Sequence, residues 1–142
     1  MLRERMEKEL GKETPGLYHV KFGRGGLVDV EFITQAIQLV HGRRYPGIRR
    51  PNTLQAIRAI GAAGLVPAGD VAALAEQYRF LRRVSASLRL FGVRPSDTLE
   101  LAGPFPARVA KSLDYPSRKD FLEDYRQRTA WVRALWTRVV PA

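Results

Sequence analysis

Apolar side chains recur at helical spacing along most of the chain, and that recurrence sets most of the predicted elements. Across residues 27–41, Val30, Ile33, Ile37 and Val40 line one helical face, and Gly42 follows where a helix commonly ends. Residues 42–51, holding Pro46, Gly47 and Pro51, read as a loop. Asn52, with Gln55 three positions on, then gives a capping signal for a helix reaching about Gly64. Pro67 separates that helix from the longest one, capped by Asp70 and running to about Phe91. Its buried face carries Val71, Leu74, Ala75, Tyr78, Leu81, Leu88 and Phe91. Residues 92–106 lack periodicity and read as an irregular connection. A short helix over about 106–113 follows. Ser117 then caps a final amphipathic helix bearing Phe121, Leu122, Tyr125, Trp131, Val132, Leu135 and Trp136, which Pro141 ends.

The first residues are less regular. Residues 2–10 predict a short polar helix whose thin apolar stripe, Leu2, Met6 and Leu10, needs a partner surface, and residues 11–16, with Pro15, break it. In residues 17–22, Tyr18, Val20 and Phe22 alternate with His19 and Lys21, the pattern of one half-buried strand. No second strand is evident from the pattern, so this segment is either a loop or a strand whose neighbours lie upstream. Five to six helices with almost no strand signal indicate an all-α helical bundle.

Composition narrows the function classes. The 142 residues are 45% hydrophobic, enough for one core. The absence of cysteine excludes disulfides and thiolate metal sites, and His19 and His41 alone make a poor metal cluster, so no metal site is expected. The sequence has no run of about 18 apolar residues and no secretory signal pattern, so a cytoplasmic address and no membrane association are expected. The net charge of +10 invites a nucleic-acid reading. Its arginines are scattered, however, as at Arg43, Arg44, Arg49, Arg50, Arg79, Arg82, Arg83, Arg89, Arg126 and Arg128, without the aromatic interleaving of a single-strand platform. Solvated helix faces account for them equally well.

The densest chemical signal is Lys21-Phe22-Gly23-Arg24-Gly25-Gly26-Leu27-Val28-Asp29-Val30-Glu31-Phe32. Its glycines permit positive φ and close backbone approach, Lys21 and Arg24 are cationic donors, and the N-terminus of the following helix attracts anions. Lys21, Arg24, Gly25 and Gly26 are therefore candidates for binding a nucleotide or another anion. The pattern is neither a P-loop nor a dinucleotide fingerprint, and a plain glycine turn between strand and helix is the open alternative. Asp29 and Glu31 have the spacing of paired magnesium ligands on a strand, but on a helix residues two apart diverge by about 200° and do not converge on one ion. They are expected to support the site from the first turns, interacting with the helix dipole, with no catalytic or metal-binding role.

At this motif the chain resembles the glutamine synthetase adenylyltransferases, and the run Leu27-Val28-Asp29 is similar to the C-terminal, adenylylating half of that family. Further similarity lies in Arg3-Glu4-Arg5-Met6-Glu7-Lys8-Glu9-Leu10, Pro51-Asn52-Thr53, Gly64-Leu65 and Tyr78-Arg79-Phe80-Leu81-Arg82-Arg83, with looser matches at 107–115 and 121–136. Where the family usually has glutamate after its Leu-Arg-Arg run, this chain has Val84-Ser85-Ala86. The family's glycine-serine turn and aspartate-x-aspartate pair would lie upstream of residue 1. The resemblance thus implies two parts: residues 1–26, a helix and strand left over from the nucleotidyltransferase core with a glycine-rich hinge, and residues 27–142, the helical bundle.

By the same resemblance, the parent enzyme transfers AMP from ATP to a tyrosine of glutamine synthetase, uses magnesium, responds to PII signalling proteins and serves nitrogen regulation. The fragment is expected to be non-catalytic alone, to hold no cofactor itself, and to dock on the upstream core. Two rivals remain in view: a free-standing basic helical module binding nucleic acid or a protein partner, and the related uridylyltransferase of PII proteins. The Val28-Asp29-Val30-Glu31-Phe32 run argues against the second.

Overall fold

Helices dominate because apolar side chains recurring at helical spacing bury one face of each in a shared core. The computed structural model describes residues 2–91 and 97–140. Helix α1 (Leu2–Met6) passes into a π-helical turn at Glu7–Gly11 that stops at Lys12, whose φ of 46° is left-handed. Strand β1 (Leu17–His19) leads through the glycine loop to α2 (Leu27–His41), which has the predicted bounds. A 3-10 turn at Pro46–Ile48 precedes α3 (Thr53–Ala62), where the Asn52 side chain accepts the Gln55 N–H at 3.0 Å. Helix α4 (Ala68–Phe91) is followed by β2 (Thr98–Glu100), α5 (Phe105–Ser112) and α6 (Arg118–Val139). Ser117 caps α6 as predicted, accepting the Asp120 N–H at 3.1 Å.

Helix α2 packs on α3, α4 and α6, while α5 bridges α4 and α6, so the core is one continuous cluster. Leu81, Val84, Phe121 and Val132 are fully buried at its centre, joined by Ile33 and Ile57. Trp131, predicted on the buried face of α6, and Val71 and Phe91, predicted on that of α4, are only half-buried, whereas Phe80 and Val84 extend the buried face of α4 beyond the predicted stripe. The predicted helical bundle is therefore correct in class.

Two local expectations are corrected. The strand does not lack a partner in this chain: β1 pairs antiparallel with β2, Tyr18 opposite Leu99. Bonds from Val20 N to Asp97 O (2.7 Å) and Leu101 N to Gly16 O (3.0 Å) prolong the pairing. A three-residue strand is too short for alternation to reveal, which is why β2 was hidden in residues 92–106. Of that stretch, residues 92–96 lie outside the described residues, as does Pro141. The second correction concerns Asp70, which sits in the first turn of α4 rather than at its cap; the helix starts at Ala68, where the Pro67 carbonyl accepts the Val71 N–H. The stripe of the first helix, expected to need a partner surface, is left with little cover. Leu2 and Leu10 are exposed, and the residue this helix buries is Arg3, 1% accessible.

Two tyrosines fasten the small sheet to the bundle. Tyr18 of β1 stacks on Tyr125 of α6, centroids 5.2 Å apart, and Tyr125 meets the rings of Phe80 and Phe121. Asp97, just ahead of β2, accepts the Ser85 hydroxyl at 2.5 Å and faces Arg89, which ties the sheet to α4. Leu81→Ala should remove packing from the middle of this cluster and lower unfolding free energy by about 2–5 kcal/mol. Urea denaturation monitored by circular dichroism checks this, and an unchanged midpoint would contradict the placement of Leu81.

Candidate functional site

The glycine motif joins β1 to α2, and every backbone N–H from Phe22 to Val28 is already engaged within the chain. Phe22 N–H donates to His19 Nδ1, Gly23 N–H to the His19 carbonyl, and Arg24 N–H to Glu13 Oε1. Gly25 N–H donates to Asp29 Oδ2 at 2.6 Å, Gly26 N–H to the Gly23 carbonyl, and Leu27 and Val28 N–H to the carbonyls of Val20 and Lys21. A backbone anion cradle needs free amides, and here they are committed to shaping the loop.

The glycines are required by packing. Gly25 has a φ of 72°, and a Cβ there would come within 2.0 Å of the Thr129 carbonyl oxygen on α6. At Gly26 a Cβ would meet the Val20 carbonyl oxygen at 2.5 Å. Only glycine lets this loop lie flush against α6.

Asp29 is fully buried in the first turn of α2. Arg3 Nε donates to its Oδ1 at 2.5 Å, and Arg133 Nη1 of α6 lies 3.3 Å from its Oδ2. The same Arg3 donates through Nη2 to the carbonyls of Phe22 and Gly23, each at 2.9 Å. Arg133 also pairs with Glu7 Oε2 at 3.2 Å and lies over the Trp136 ring at 4.3 Å. Two arginines and two carboxylates therefore join α1, the π-helical turn, the glycine loop, α2 and α6. A buried carboxylate persists only when paired and hydrogen-bonded, and Asp29 has both forms of compensation.

Glu13 plays a smaller version of the same part, accepting the N–H groups of His19 (3.0 Å) and Arg24 (2.8 Å) across the loop. Burial raises its carboxyl above the usual range, while those two hydrogen bonds oppose the rise. Burial likewise lowers the His19 imidazole, in keeping with a neutral ring whose Nδ1 accepts the Phe22 N–H.

Glu31 points elsewhere, as the helical spacing required. It is half-buried, and desolvation raises its carboxyl while the charges of Lys21 and Arg82 lower it. Asp29 and Glu31 thus face different cations, and the pair does not fit a shared magnesium ion. Among the described residues no group of three or more His, Asp or Glu side chains could hold a metal.

What the motif offers to solvent is its cations. Lys21 and Arg24 lie on the surface of the loop, Lys21 Nζ standing 5.1 Å from the Phe22 ring centre. Arg24 borders a cleft with Arg126, Glu13, Tyr18 and Tyr125. The six sequence-derived positions consequently separate into three groups: Lys21 and Arg24 outside, Gly25 and Gly26 beneath them against α6, and Asp29 and Glu31 on diverging sides of α2. Sequence reasoning missed Arg3, Glu7, Glu13 and Arg133 as parts of this site. Arg133 is 104 positions from Asp29, and no local pattern connects them.

The family described as GlnD PII-uridylyltransferase matches residues 1–140 of this chain. Similar curated proteins include those from Streptomyces avermitilis, 40% identical across 94% of this chain, Mycobacterium avium, 34% across 85%, and Leifsonia xyli subsp. xyli, 33% across 96%. Each is named a bifunctional glutamine synthetase adenylyltransferase/adenylyl-removing enzyme. The matches cover only 14%, 12% and 14% of those relatives, so the chain spans a small part of their length.

The displaced Glu31 carboxyl gives a pH test. Because its folded value lies above its unfolded one, the folded protein holds that proton more tightly, and the resulting stability is present at low pH and lost as pH rises through the folded value. Glu31→Gln removes the cost of ionisation. Its stability relative to the unsubstituted chain should therefore improve between about pH 4 and about pH 7, the two limits being set around the ordinary glutamate range. Urea midpoints at both pH values measure it, and a relative stability that falls with pH would contradict the burial assigned to Glu31.

Proposed function

The chain belongs to the family described as GlnD PII-uridylyltransferase, its curated relatives being bifunctional glutamine synthetase adenylyltransferase/adenylyl-removing enzymes, and from this premise we propose that it is the helical module accompanying the nucleotidyltransferase core of such an enzyme. The parent reaction is AMP transfer from ATP to a tyrosine of glutamine synthetase, with magnesium held by acidic residues outside this chain. PII signalling proteins are its regulatory partners, nitrogen metabolism its setting and the cytoplasm its compartment. No step of that chemistry is assigned to Asp29 or Glu31.

The observation that carries this reading is the engagement of Asp29. A carboxylate held by Arg3, Arg133 and the Gly25 N–H is a structural counter-ion, unavailable to a metal. Residues 1–26 form the side of the module that meets the core, and residues 27–142 form the bundle. Lys21 and Arg24, at that junction, supply donors to a phosphate of the nucleotide or to carboxylates of the target protein. Gly25 and Gly26 keep the loop low enough for both cations to reach outward.

The isolated chain, given ATP, magnesium and glutamine synthetase, should transfer no AMP, and turnover by it would overturn the division of roles. In the full-length parent enzyme, the Lys21→Ala and Arg24→Ala changes together should lower kcat/KM by about tenfold to a hundredfold or more, at least the value of one charge-assisted hydrogen bond. Unchanged kinetics would remove both side chains from the site. The nucleic-acid rival predicts duplex binding that weakens steeply with salt, which a titration at two ionic strengths distinguishes.

A further inference from the structure

Residues 32–69 contain five arginines, Arg43, Arg44, Arg49, Arg50 and Arg58, and no aspartate or glutamate. Four of these arginines gather where α2 ends. There Gln38 Nε2 donates to the carbonyls of Ile48 (2.8 Å) and Arg50 (3.0 Å), stapling the 3-10 turn and the residues after it to the helix. Arg49 lies across Gly42, where a Cβ would stand 3.2 Å from its Nε. Gln35, Gln38, Leu39, Arg43, Arg49 and Arg50 line a groove of about 650 Å³ between these pieces.

Several arginines outside this region have carboxylate partners. Arg79 and Arg83 face Glu76, Arg89 faces Asp97, Arg128 faces Asp124, and Arg133 faces Asp29 and Glu7. Among the described residues, the groove arginines have no carboxylate within 4 Å. Leu39, 86% exposed, lines the groove with them, and Val40, the next residue of α2, is 67% exposed. Cations alone would suit a phosphate backbone, but adjacent aliphatic side chains gain little from sugar and phosphate. The nearby ring, Tyr45, is covered by the Arg44 guanidinium at 5.5 Å and offers no free stacking platform.

We propose that this groove docks an acidic protein segment, with carboxylates against Arg43, Arg49 and Arg50 and an aliphatic side chain against Leu39 and Val40. Charge complementarity fixes the register, and the aliphatic contact distinguishes a protein from other polyanions.

The test is fluorescence anisotropy with the whole chain and a short labelled peptide of glutamates with leucines at helical spacing. R43E/R49E should weaken binding by about tenfold or more, as should Leu39→Ser, since both remove central contacts. The control K111E/R138E changes net charge equally on α5 and α6 and should alter affinity by less than about twofold. All five positions are exposed, and unchanged thermal melting verifies that each variant is folded. Overturning results are equal losses in both double variants, no effect of Leu39→Ser, no binding by the unsubstituted chain, or an oligodeoxythymidylate bound as tightly as the peptide.

Discussion

A single buried carboxylate governs the geometry of the glycine motif: Asp29, enclosed between Arg3 of the first helix and Arg133 of the last. Removing a carboxylate from water costs several kcal/mol, and two guanidinium groups plus the Gly25 N–H are what make its burial tolerable. Each compensating group comes from a different element, so the electrostatic requirement of one side chain becomes a geometric requirement on α1, the glycine loop and α6. Arg3 extends the constraint by holding two loop carbonyls, and Arg133 extends it to the π-helical turn through Glu7.

This arrangement changes what the glycine motif means chemically. Glycines followed by a helix N-terminus ordinarily offer amides to an anion, yet here the amides close the loop on itself. The glycines serve contact with Thr129 and Val20, and the carboxylate that has the chemistry of a metal ligand is committed to arginines. On the proposed reading, Lys21 and Arg24 meet a negatively charged surface from a loop whose backbone amides are already bonded within the chain, which limits the entropy cost of recognition.

Much of the fold was legible because it rests on local rules. The apolar spacing of Val30, Ile33, Ile37 and Val40 announced α2, although Val40 itself is exposed, and Asn52 and Ser117 announced α3 and α6 through their capping side chains. The short sheet was not legible, since Thr98-Leu99-Glu100 is too brief to show alternation and its pairing spans some 80 positions of sequence. Within the site, the divergence of Asp29 and Glu31 followed from helical periodicity, whereas the partners of Asp29 did not. Arg3 reads as one charge among several on a polar helix, and Arg133 as one more solvated arginine; only the tertiary fold brings them to one carboxylate. The thin apolar stripe of the first helix, expected to need a partner surface, is left with Leu2 and Leu10 exposed, and what anchors the helix to the bundle is its arginine.

The most direct measurement of this linkage is a double-mutant cycle on Arg3→Met and Asp29→Asn, read as unfolding free energy in urea. If the two side chains compensate each other in the interior, each single change strands a buried polar partner, and the double variant is less destabilised than the sum by about 1–3 kcal/mol. Strict additivity would mean that Arg3 and Asp29 do not depend on one another, and the electrostatic tie between the first helix and the bundle would be lost with it.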